Sequence, residues 1–542
     1  MKALFRRLAQ AGVGAFIASL AFPQPGIWPL LFVGVPLMVF AFRRVSLGQS
    51  MAVGAVTGFV YYGAAAKWLT IYLGIVPWLG LVGLQSVLFA IGGIAIGAAW
   101  RAADTLNLHS LRGRFVGATI VAAAWVTREA IAAQWPWGGF GWARVSHGLA
   151  DSPFRYLVAL FGLSGTTAVV VLVVVVAVLT WQNVTDRRGR TIHLSAVAAG
   201  LLLLLPGPYL LLVTAPSGSV RVAAVQGNSD SALFSTARQG DAIANHVAAM
   251  NATPLGKVDV VVWPENAMDV DPLRSADAAR LADQISTATN APFIFGTITA
   301  DGDKTFNSVL KWEAGKGAVD QYDKIHPVPF AEYLPERQFF YPLAPSMFDM
   351  VPRDYTLGTR DTVMTVGKAV AGIAICYDIV DDGIFREMLA QNANVIFAPT
   401  NNSDFGHTDE SIQQLGIARL RAIETGRAVV NVSTVGVSAV IALIHDIALV
   451  VGIFGPTANG DRFALFQILD ATLASLVIVL ALIAVMLNLL ISADTCWKCG
   501  VVPAKYFWKI IGAELPPHTL TSEPLATAFT PYSRLQAPEW AT

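Results

Sequence analysis

The sequence contains few charged residues and few cysteines. Of its 542 residues, 14% are charged and 54% are hydrophobic, so the charged share is about half that of an average soluble domain. This composition excludes a disordered protein and an ordinary soluble enzyme, and it indicates an integral membrane protein. The cysteines are too few for a disulfide framework, and no clustered basic face of the kind that binds nucleic acid is present. The three cysteines are Cys376, Cys496 and Cys499.

The net charge of zero combines two parts of opposite character. Residues 1–217 hold 15 basic and 4 acidic residues, whereas residues 218–492 hold 18 basic and 29 acidic residues. A basic apolar part and an acidic polar part are expected to fold as different domains. We therefore predict a membrane domain of about seven helices over 1–217, a polar domain over 218–455, a transmembrane helix over 456–492 and a tail over 493–542.

Apolar runs that approach the roughly 20 residues needed to cross a bilayer recur along the first part of the chain. Arginine and lysine are concentrated after every second run, and the intervening loops hold few of them. Because short cytoplasmic loops are enriched in basic residues, this pattern predicts cytoplasmic N and C termini and an extracytoplasmic polar domain. The predicted spans are 12–22, 26–42, 51–66, 78–100, 115–133, 157–181, 192–213 and 463–492.

The acidic part alternates short β-rich runs with polar helical stretches. This alternation predicts an α/β domain whose sheet is covered by helices. Two of the helices are predicted at 234–251 and 274–289. The predicted strands are Arg221–Val225, Val258–Trp263, Pro292–Thr299, Ala369–Ile375, Asn394–Ala398 and Ala428–Val432.

Three segments beside predicted strands carry a carboxylate, an ammonium and a thiol. A carboxylate just past a buried strand lies at the rim of the sheet, where sites are built, and a cysteine at a strand end is presented at a turn. Alone, each has an ordinary explanation, since a lone Cys is usually a small buried hydrophobe and a lone Lys or Glu is usually a solvated charge. Their order and spacing favour one shared site. The segments are Trp263-Pro264-Glu265, Tyr322-Asp323-Lys324-Ile325-His326-Pro327-Val328-Pro329-Phe330 followed by Glu332, and Ile375-Cys376-Tyr377-Asp378.

With these motifs and membrane spans on both sides, the chain resembles the apolipoprotein N-acyltransferase family of the nitrilase, or carbon-nitrogen hydrolase, superfamily over roughly residues 1–440. The resemblance implies an αββα sandwich with a Glu-Lys-Cys triad, no cofactor and no metal. Thr400-Asn401-Asn402 looks closer to actinobacterial members than to proteobacterial ones. Other matching segments are Val225-Gln226-Gly227-Asn228, Phe306-Asn307-Ser308, Arg419-Leu420-Arg421-Ala422-Ile423-Glu424 and Thr434-Val435-Gly436-Val437-Ser438-Ala439-Val440-Ile441.

The family's activity is the transfer of an acyl chain from a phospholipid to the N-terminal amine of S-diacylglyceryl-cysteine in apolipoproteins, through a Cys thioester. A thiolate divides such a transfer into two easier steps. The resemblance implies Cys376 as nucleophile, Glu265 as general base and Lys324 as the charge beside the oxyanion. The Lys324 ammonium would also favour the thiolate form of Cys376.

Supporting roles are also implied by the resemblance. Glu332 would orient Lys324, and the backbone N–H groups of Tyr377 and Asp378 are candidates for the oxyanion hole. Asp378 stands where the family commonly has the longer Glu. The implied partners are a phospholipid donor and a diacylglyceryl-modified apolipoprotein, and the implied location is the bacterial plasma membrane.

Two other functions fit parts of the sequence. A membrane-anchored nitrilase-type amidase would need only one span. A catalytically degenerate scaffold would explain a divergent C-terminus, and polyprenol-phosphate mannose synthase would then be a candidate partner, as for some actinobacterial relatives. A transporter is disfavoured because charges inside the predicted spans are scarce, with Arg128 and Glu129 as the main exception.

Two loops are unusually rich in apolar side chains. The aromatic loop at 134–142 is interpreted either as an interfacial aromatic belt or as a wall of the substrate cleft. The segment 336–350 is interpreted either as a loop buried on the core or as a mobile lid that admits acyl chains.

The resemblance ends after Ile441. There the family continues with a polar hairpin, whereas residues 442–454 are strongly apolar, so the last strands of the domain could be altered. Cys496 and Cys499 form a single CxxC pair, and a zinc site would need two further ligands.

Overall fold

A computed structural model describes residues 2–204, 218–229, 238–252, 255–350, 354–406 and 408–441. The predicted span at 456–492, the tail at 493–542 and the divergent segment after Ile441 lie outside the described residues.

The apolar runs of the N-terminal part form helices. Within the described ranges, three helical segments are long and apolar enough to cross a membrane: Ile75–Asp104, Leu111–Ala132 and Pro153–Asn183. These segments confirm a polytopic helical membrane domain. The helices are α1 (Lys2–Ser19), α2 (Leu31–Ala41), α3 (Leu47–Ala65), α4 (Ile75–Asp104), α5 (Leu111–Ala132), α6 (Val158–Asn183) and α7 (Arg187–Leu204), with a single turn at Thr70–Leu73.

The two charges in the middle of the membrane part are both buried and partnered. Glu129 accepts hydrogen bonds from the Thr167 hydroxyl at 2.8 Å and the Val145 N–H at 3.2 Å. Arg128 donates to the Tyr62 hydroxyl at 3.2 Å and lies over the Phe89 ring, 4.0 Å from its centroid. These contacts hold helices together, which is a structural use of intramembrane charge.

The described residues of the acidic part form two five-stranded sheets, ordered β1-β2-β3-β4-β5 and β10-β9-β8-β7-β6. In the first sheet β1, β2 and β3 are parallel, and β3, β4 and β5 are antiparallel. In the second, β7, β8 and β9 are parallel and the two edge strands are antiparallel to them. The strands are β1 (Val222–Ala224), β2 (Val260–Val262), β3 (Phe293–Asp301), β4 (Lys304–Glu313), β5 (Gly317–Asp323), β6 (Val363–Val366), β7 (Ala369–Ile373), β8 (Val395–Thr400), β9 (Ala428–Ser433) and β10 (Ala439–Ile441).

The two sheets pack face to face and are covered by helices. One apolar core joins the facing sides of the sheets, with Val262 and Ile294 from the first and Ile373 and Phe397 from the second. A second core fills the space between the first sheet and two helices. This arrangement confirms the predicted αββα sandwich. Its helices are α8 (Asp241–Ala252), α9 (Ala276–Thr289), α10 (Asp382–Ala390) and α11 (Glu410–Thr425).

The membrane and α/β parts belong to one unit of the chain, Met1–Val479, and α11 lies at their junction. Helix α6 is interrupted at Gly162, whose φ of +64° is accessible mainly to glycine. After this break the Leu163 N–H donates to the Glu424 carboxylate at 3.1 Å. A carboxylate of the α/β part therefore caps a helix of the membrane part.

A network of four charges, in which both arginines are buried and both acids are half-buried, continues from this cap. Arg421 pairs with Glu424 at 2.6 Å and with Asp382 at 2.8 Å, and Arg144 pairs with Asp382 at 2.8 Å. Although burial opposes ionisation, Arg421 and Arg144 hold the pKa of Asp382 down at about 2. Two cations and two anions thus neutralise one another at the junction.

Candidate active site

The three predicted triad residues each follow the end of a strand. Glu265 comes after β2, Lys324 directly after β5 and Cys376 shortly after β7. The Lys324 N–H donates to the Asn307 carbonyl at 2.8 Å, which extends the pairing of β4 and β5 by one residue. Gly296 lets β3 approach Glu265 closely, because a Cβ atom there would lie 2.5 Å from the Glu265 Cα.

The Lys324 ammonium lies between two carboxylates. Its Nζ is 3.2 Å from Oε1 of Glu265 and 2.8 Å from Oε2 of Glu332. The Asn307 amide donates to both carboxylates, at 2.7 Å to Glu265 and 2.9 Å to Glu332. The Val328 N–H donates to Glu332 at 2.6 Å. The structure thus places Glu332 against Lys324, and it adds Asn307 as a second group that fixes both acids.

Burial and charge set the protonation of this cluster. Although burial opposes its charge, Glu265 and Glu332 raise the pKa of Lys324 well above its ordinary value. Burial raises the pKa of Glu265, against the pull of Lys324. Burial and the Glu265 charge also raise the pKa of the Cys376 thiol, despite Lys324. Lys324 lowers the pKa of the thiol, as expected, but burial and Glu265 outweigh it, so the thiol needs a base.

Cys376 occupies a strained turn. It opens the 3-10 turn Cys376–Val380 with a φ of +48°, a region that non-glycine residues rarely adopt. The Gln414 amide approaches its Sγ at 3.6 Å. Such a turn presents the sulfur at the strand end, as the sequence predicts.

Asp378 ties this turn to the lysine segment. Its carboxylate accepts hydrogen bonds from the Tyr322 hydroxyl at 2.8 Å, the His326 N–H at 2.9 Å and the Ile375 N–H at 3.0 Å. Burial raises the pKa of Asp378 to about 6. The Asp378 N–H itself donates to the Ile375 carbonyl at 2.9 Å, so this N–H is already occupied within the turn.

The aromatic loop of the membrane part closes one side of the site. The Tyr377 hydroxyl donates to the Gly139 carbonyl at 3.2 Å. A cavity of about 190 Å³ separates Trp137 and Gly138 on this loop from His326 and other residues of the α/β part. These contacts favour the interpretation of residues 134–142 as a cleft wall over that of an interfacial belt.

The segment 336–350 lies over this wall and is largely exposed. Phe340 packs edge-on against Trp137 at 5.4 Å between ring centroids, whereas Phe339 and Leu343 are 66% and 70% exposed. Within it, the turns Arg337–Phe340 and Pro345–Phe348 contain no buried residue. The segment is therefore not a loop buried on the core, and it presents apolar side chains beside the cleft.

Four residues near the site carry no individual role in the sequence analysis. They are Asn307, Thr400, Glu410 and Gln414. Thr400 Oγ1 lies 3.0 Å from Oε1 of Gln414, and Glu410 is buried at the start of α11. Across the described ranges, no group of three or more His, Cys, Asp or Glu side chains could hold a metal ion.

The membrane part and the α/β part of the chain each match a different family of known protein domains. Residues 14–176 match the apolipoprotein N-acyltransferase N-terminal domain, and residues 221–458 match the carbon-nitrogen hydrolase domain. An αββα sandwich that follows a helical membrane domain along the chain places this protein in the carbon-nitrogen hydrolase class, as a membrane protein.

Relatives of similar length identify the family. An apolipoprotein N-acyltransferase of Mycolicibacterium smegmatis is 30% identical over 478 residues, which cover 80% of this chain and 76% of that protein. One of Allorhizobium ampelinum is 28% identical and covers 81% and 86%. The chain belongs to the apolipoprotein N-acyltransferase family. Among solved structures, an amidase from Nesterenkonia sp. is 16% identical with a TM-score of 0.30, covering 42% of this chain and 85% of the amidase.

Proposed function

We propose that this membrane enzyme transfers an acyl chain from a phospholipid to the N-terminal amine of S-diacylglyceryl-cysteine in apolipoproteins, through a thioester on Cys376. The observation that carries the proposal is the buried Glu265–Lys324 pair, 3.2 Å apart, at the strand ends that also present Cys376. The aromatic wall from the membrane part beside this site supports a lipid substrate over a soluble amide.

Because the pKa of the Cys376 thiol is raised, thioester formation needs a base that removes the thiol proton. Glu265 accepts the proton of the Cys376 thiol as the sulfur attacks the ester carbonyl carbon of the phospholipid. The Lys324 ammonium and the Tyr377 N–H stabilise the oxyanion, since the Asp378 N–H is occupied. The C–O bond then breaks, and the lysophospholipid leaves with the proton from Glu265.

In acyl transfer the proton moves the opposite way, through Glu265 to the sulfur of Cys376. The acceptor amine attacks the thioester carbonyl, the C–S bond breaks, and Glu265 passes an amine proton to the departing sulfur. Glu332 and Asn307 keep Lys324 and Glu265 in place during both steps, because each contacts that pair directly. The products are an amide and the regenerated thiol.

A two-stage labelling experiment tests the proposal. The purified protein is incubated with a phospholipid carrying a labelled acyl chain, and hydroxylamine-sensitive label is measured on the protein. A diacylglyceryl lipopeptide is then added, and its intact mass should increase by one acyl chain. Hydrolysis of simple amides without acyl loading would instead support the amidase, and no turnover of either substrate would support a scaffold.

The orientation and the domain limits belong to the same proposal. We propose that the α/β domain, over 218–455, is extracytoplasmic and that both termini are cytoplasmic, as the basic loops indicate. A topology reporter fused after Gly218 should be active outside the cytoplasm, and one fused after Arg190 inside. Reversed signals at both fusions would overturn this orientation.

A complex with polyprenol-phosphate mannose synthase stays a prediction. It rests on the resemblance to actinobacterial relatives alone. Co-purification of the two proteins from mild detergent would test it, and the absence of co-purification at native expression levels would argue against it.

A further inference from the structure

Glu410 is a buried carboxyl group beside the proposed nucleophile. Its residue is 2% exposed, and it lies at the first position of α11, four residues before Gln414. Residues four apart share one face of a helix. Since Gln414 reaches to 3.6 Å from the Cys376 sulfur, the face that carries Glu410 is the face turned toward the thiol.

One oxygen of this carboxyl group has no partner. Oε2 of Glu410 is buried and makes no hydrogen bond to any residue that the structure describes. Burial and the charge of Glu265 raise its pKa to about 8. Because a buried carboxylate that lacks a partner is costly, the group rests as a neutral carboxyl near pH 7 and is suited to ionise when a cation arrives with a substrate.

A second unpaired group lies in the same network. Asn402 is fully buried, and its Nδ2 is likewise without a partner among the described residues. Its Oδ1 lies 3.2 Å from Thr400 Oγ1, which in turn lies 3.0 Å from Oε1 of Gln414. The side of the thiol formed by α11 and β8 therefore offers an acceptor for a cation and a donor for a carbonyl oxygen.

The membrane part holds this side in place. Gln413, next to Gln414, accepts hydrogen bonds from the indoles of Trp68 at 3.2 Å and Trp142 at 2.8 Å, and donates to the Ala65 carbonyl at 3.2 Å. The start of α11 is thus anchored to the end of a membrane helix and to the aromatic loop. A substrate that reaches Glu410 enters where the two parts meet.

We propose that Glu410 receives the α-ammonium group of the acceptor, which deepens the acyltransferase function proposed above and rests on it. An arriving ammonium favours the charged carboxylate, and the adjacent peptide carbonyl of the acceptor suits the Asn402 amide. As the ammonium pairs with Glu410, the neutral carboxyl group loses its own proton to water. The carboxylate then takes one proton from the ammonium, which leaves a neutral amine and returns Glu410 to its neutral form. The amine then attacks the thioester carbonyl, the C–S bond breaks, and Glu265 carries a second amine proton to the sulfur.

The two half-reactions separate this role from a structural one. In Glu410→Gln, acyl loading from phospholipid should stay close to the wild-type rate, whereas transfer to a diacylglyceryl lipopeptide should fall at least about 30-fold, as expected when a buried charge pair loses one partner. Hydroxylamine is a neutral nucleophile at pH 7, so it should discharge the loaded variant and the loaded wild type equally. A matched control is Asp409→Asn, which removes the neighbouring acidic charge and should leave both half-reactions unchanged.

The outcomes distinguish failure of this inference from failure of the proposed function. If wild type loads and transfers but Glu410→Gln transfers equally well, Glu410 does not receive the amine. If the variant loads slowly, or if hydroxylamine discharge slows together with transfer, Glu410 supports the site structurally and the inference is wrong. If wild type itself acquires no label from phospholipid, the acyltransferase proposal fails first.

Discussion

Within the part of the chain that the structure describes, the charge network at the junction and the one at the site differ in their balance. At the junction of the two parts, Arg144 and Arg421 face Asp382 and Glu424, so two cations meet two anions. At the site, the single ammonium of Lys324 contacts the carboxylates of Glu265 and Glu332, and Glu410 lies beyond them.

This difference in charge balance fits a structural role for the junction network and a chemical role for the site. In a neutral network every charge has its partner, so no group is driven to change its protonation. In the site, burial and then the excess of acid keep the pKa of the thiol high, and the same excess leaves carboxyl groups ready to exchange protons. We therefore expect substitutions in the unbalanced network at the site to stop turnover. We expect substitutions in the balanced network at the junction to lower the stability of the fold.

The largest expected effect is loss of the nucleophile. Cys376→Ser should carry no hydroxylamine-sensitive label after incubation with labelled phospholipid, because a serine hydroxyl is far less acidic than a thiol and its base is a carboxylate. Cys499→Ser serves as the control and should load normally. Label on Cys376→Ser at the wild-type level would place the nucleophile elsewhere.

The next largest effect is expected from removing Lys324, the single cation of the unbalanced network. Lys324→Met should lower the loading rate by ~10²–10³, the usual loss for one oxyanion donor, and Glu265→Gln should slow both half-reactions. The losses in the double variant should not add, since the residues act as a unit. Lys316→Met, which removes an exposed lysine, should load at the wild-type rate. Additive losses would show that the two residues act independently.

The balanced network is tested by stability instead of turnover. Asp382→Asn leaves two buried arginines with one carboxylate fewer and should lower the free energy of unfolding by about 2 kcal/mol. The exposed pair Arg221–Asp259 provides the control, and Asp259→Asn should cost less than about 1 kcal/mol. Thermal unfolding in mild detergent measures both. Equal small shifts would mean that the junction network contributes no more than a surface ion pair.

The smallest expected effect lies outside both networks, on the exposed segment 336–350. Phe339→Ser should slow acyl loading a few-fold while leaving thermal unfolding unchanged, because the ring is exposed beside the cleft and contributes little to the core. Leu273→Ser removes another exposed apolar side chain, one that is 50% exposed and lies outside the segment, and should not alter loading. Unchanged loading in Phe339→Ser would remove this segment from acyl admission.

The sequence predicted the strands whose residues are apolar on both faces. Each of the six predicted strands overlaps an observed strand, and two of these, β2 and β7, precede the triad residues Glu265 and Cys376. Strands β4 and β5 were not predicted, because polar residues recur along them and their hairpin pairing, not their composition, makes them strands. β5 ends next to Lys324, and Asn307 near the start of β4 accepts a hydrogen bond from the Lys324 N–H. The strands that position the lysine are therefore less evident from the sequence than the lysine itself.

The electrostatics of the site could not be predicted in the same way. The sequence offers Lys324 and Cys376 for one site, but the pKa of the thiol depends on burial and on Glu265, which tertiary structure alone brings to it. Glu410 follows Thr408 and Asp409 in a polar stretch that resembles a solvated loop. Its burial results from the packing of α11 against the membrane part, where Trp68 and Trp142 hold Gln413.

The cap between Glu424 and the Leu163 N–H has a consequence for the order of assembly. The two groups are 261 residues apart, so the ribosome completes the interrupted membrane helix long before its capping carboxylate exists. Until α11 folds and docks, the N–H after Gly162 lacks its partner in surroundings poor in water, where an unpaired group is costly. Completion of that helix is thereby coupled to the arrival of the α/β domain, and a chain that stops short of Glu424 would leave the membrane part unfinished.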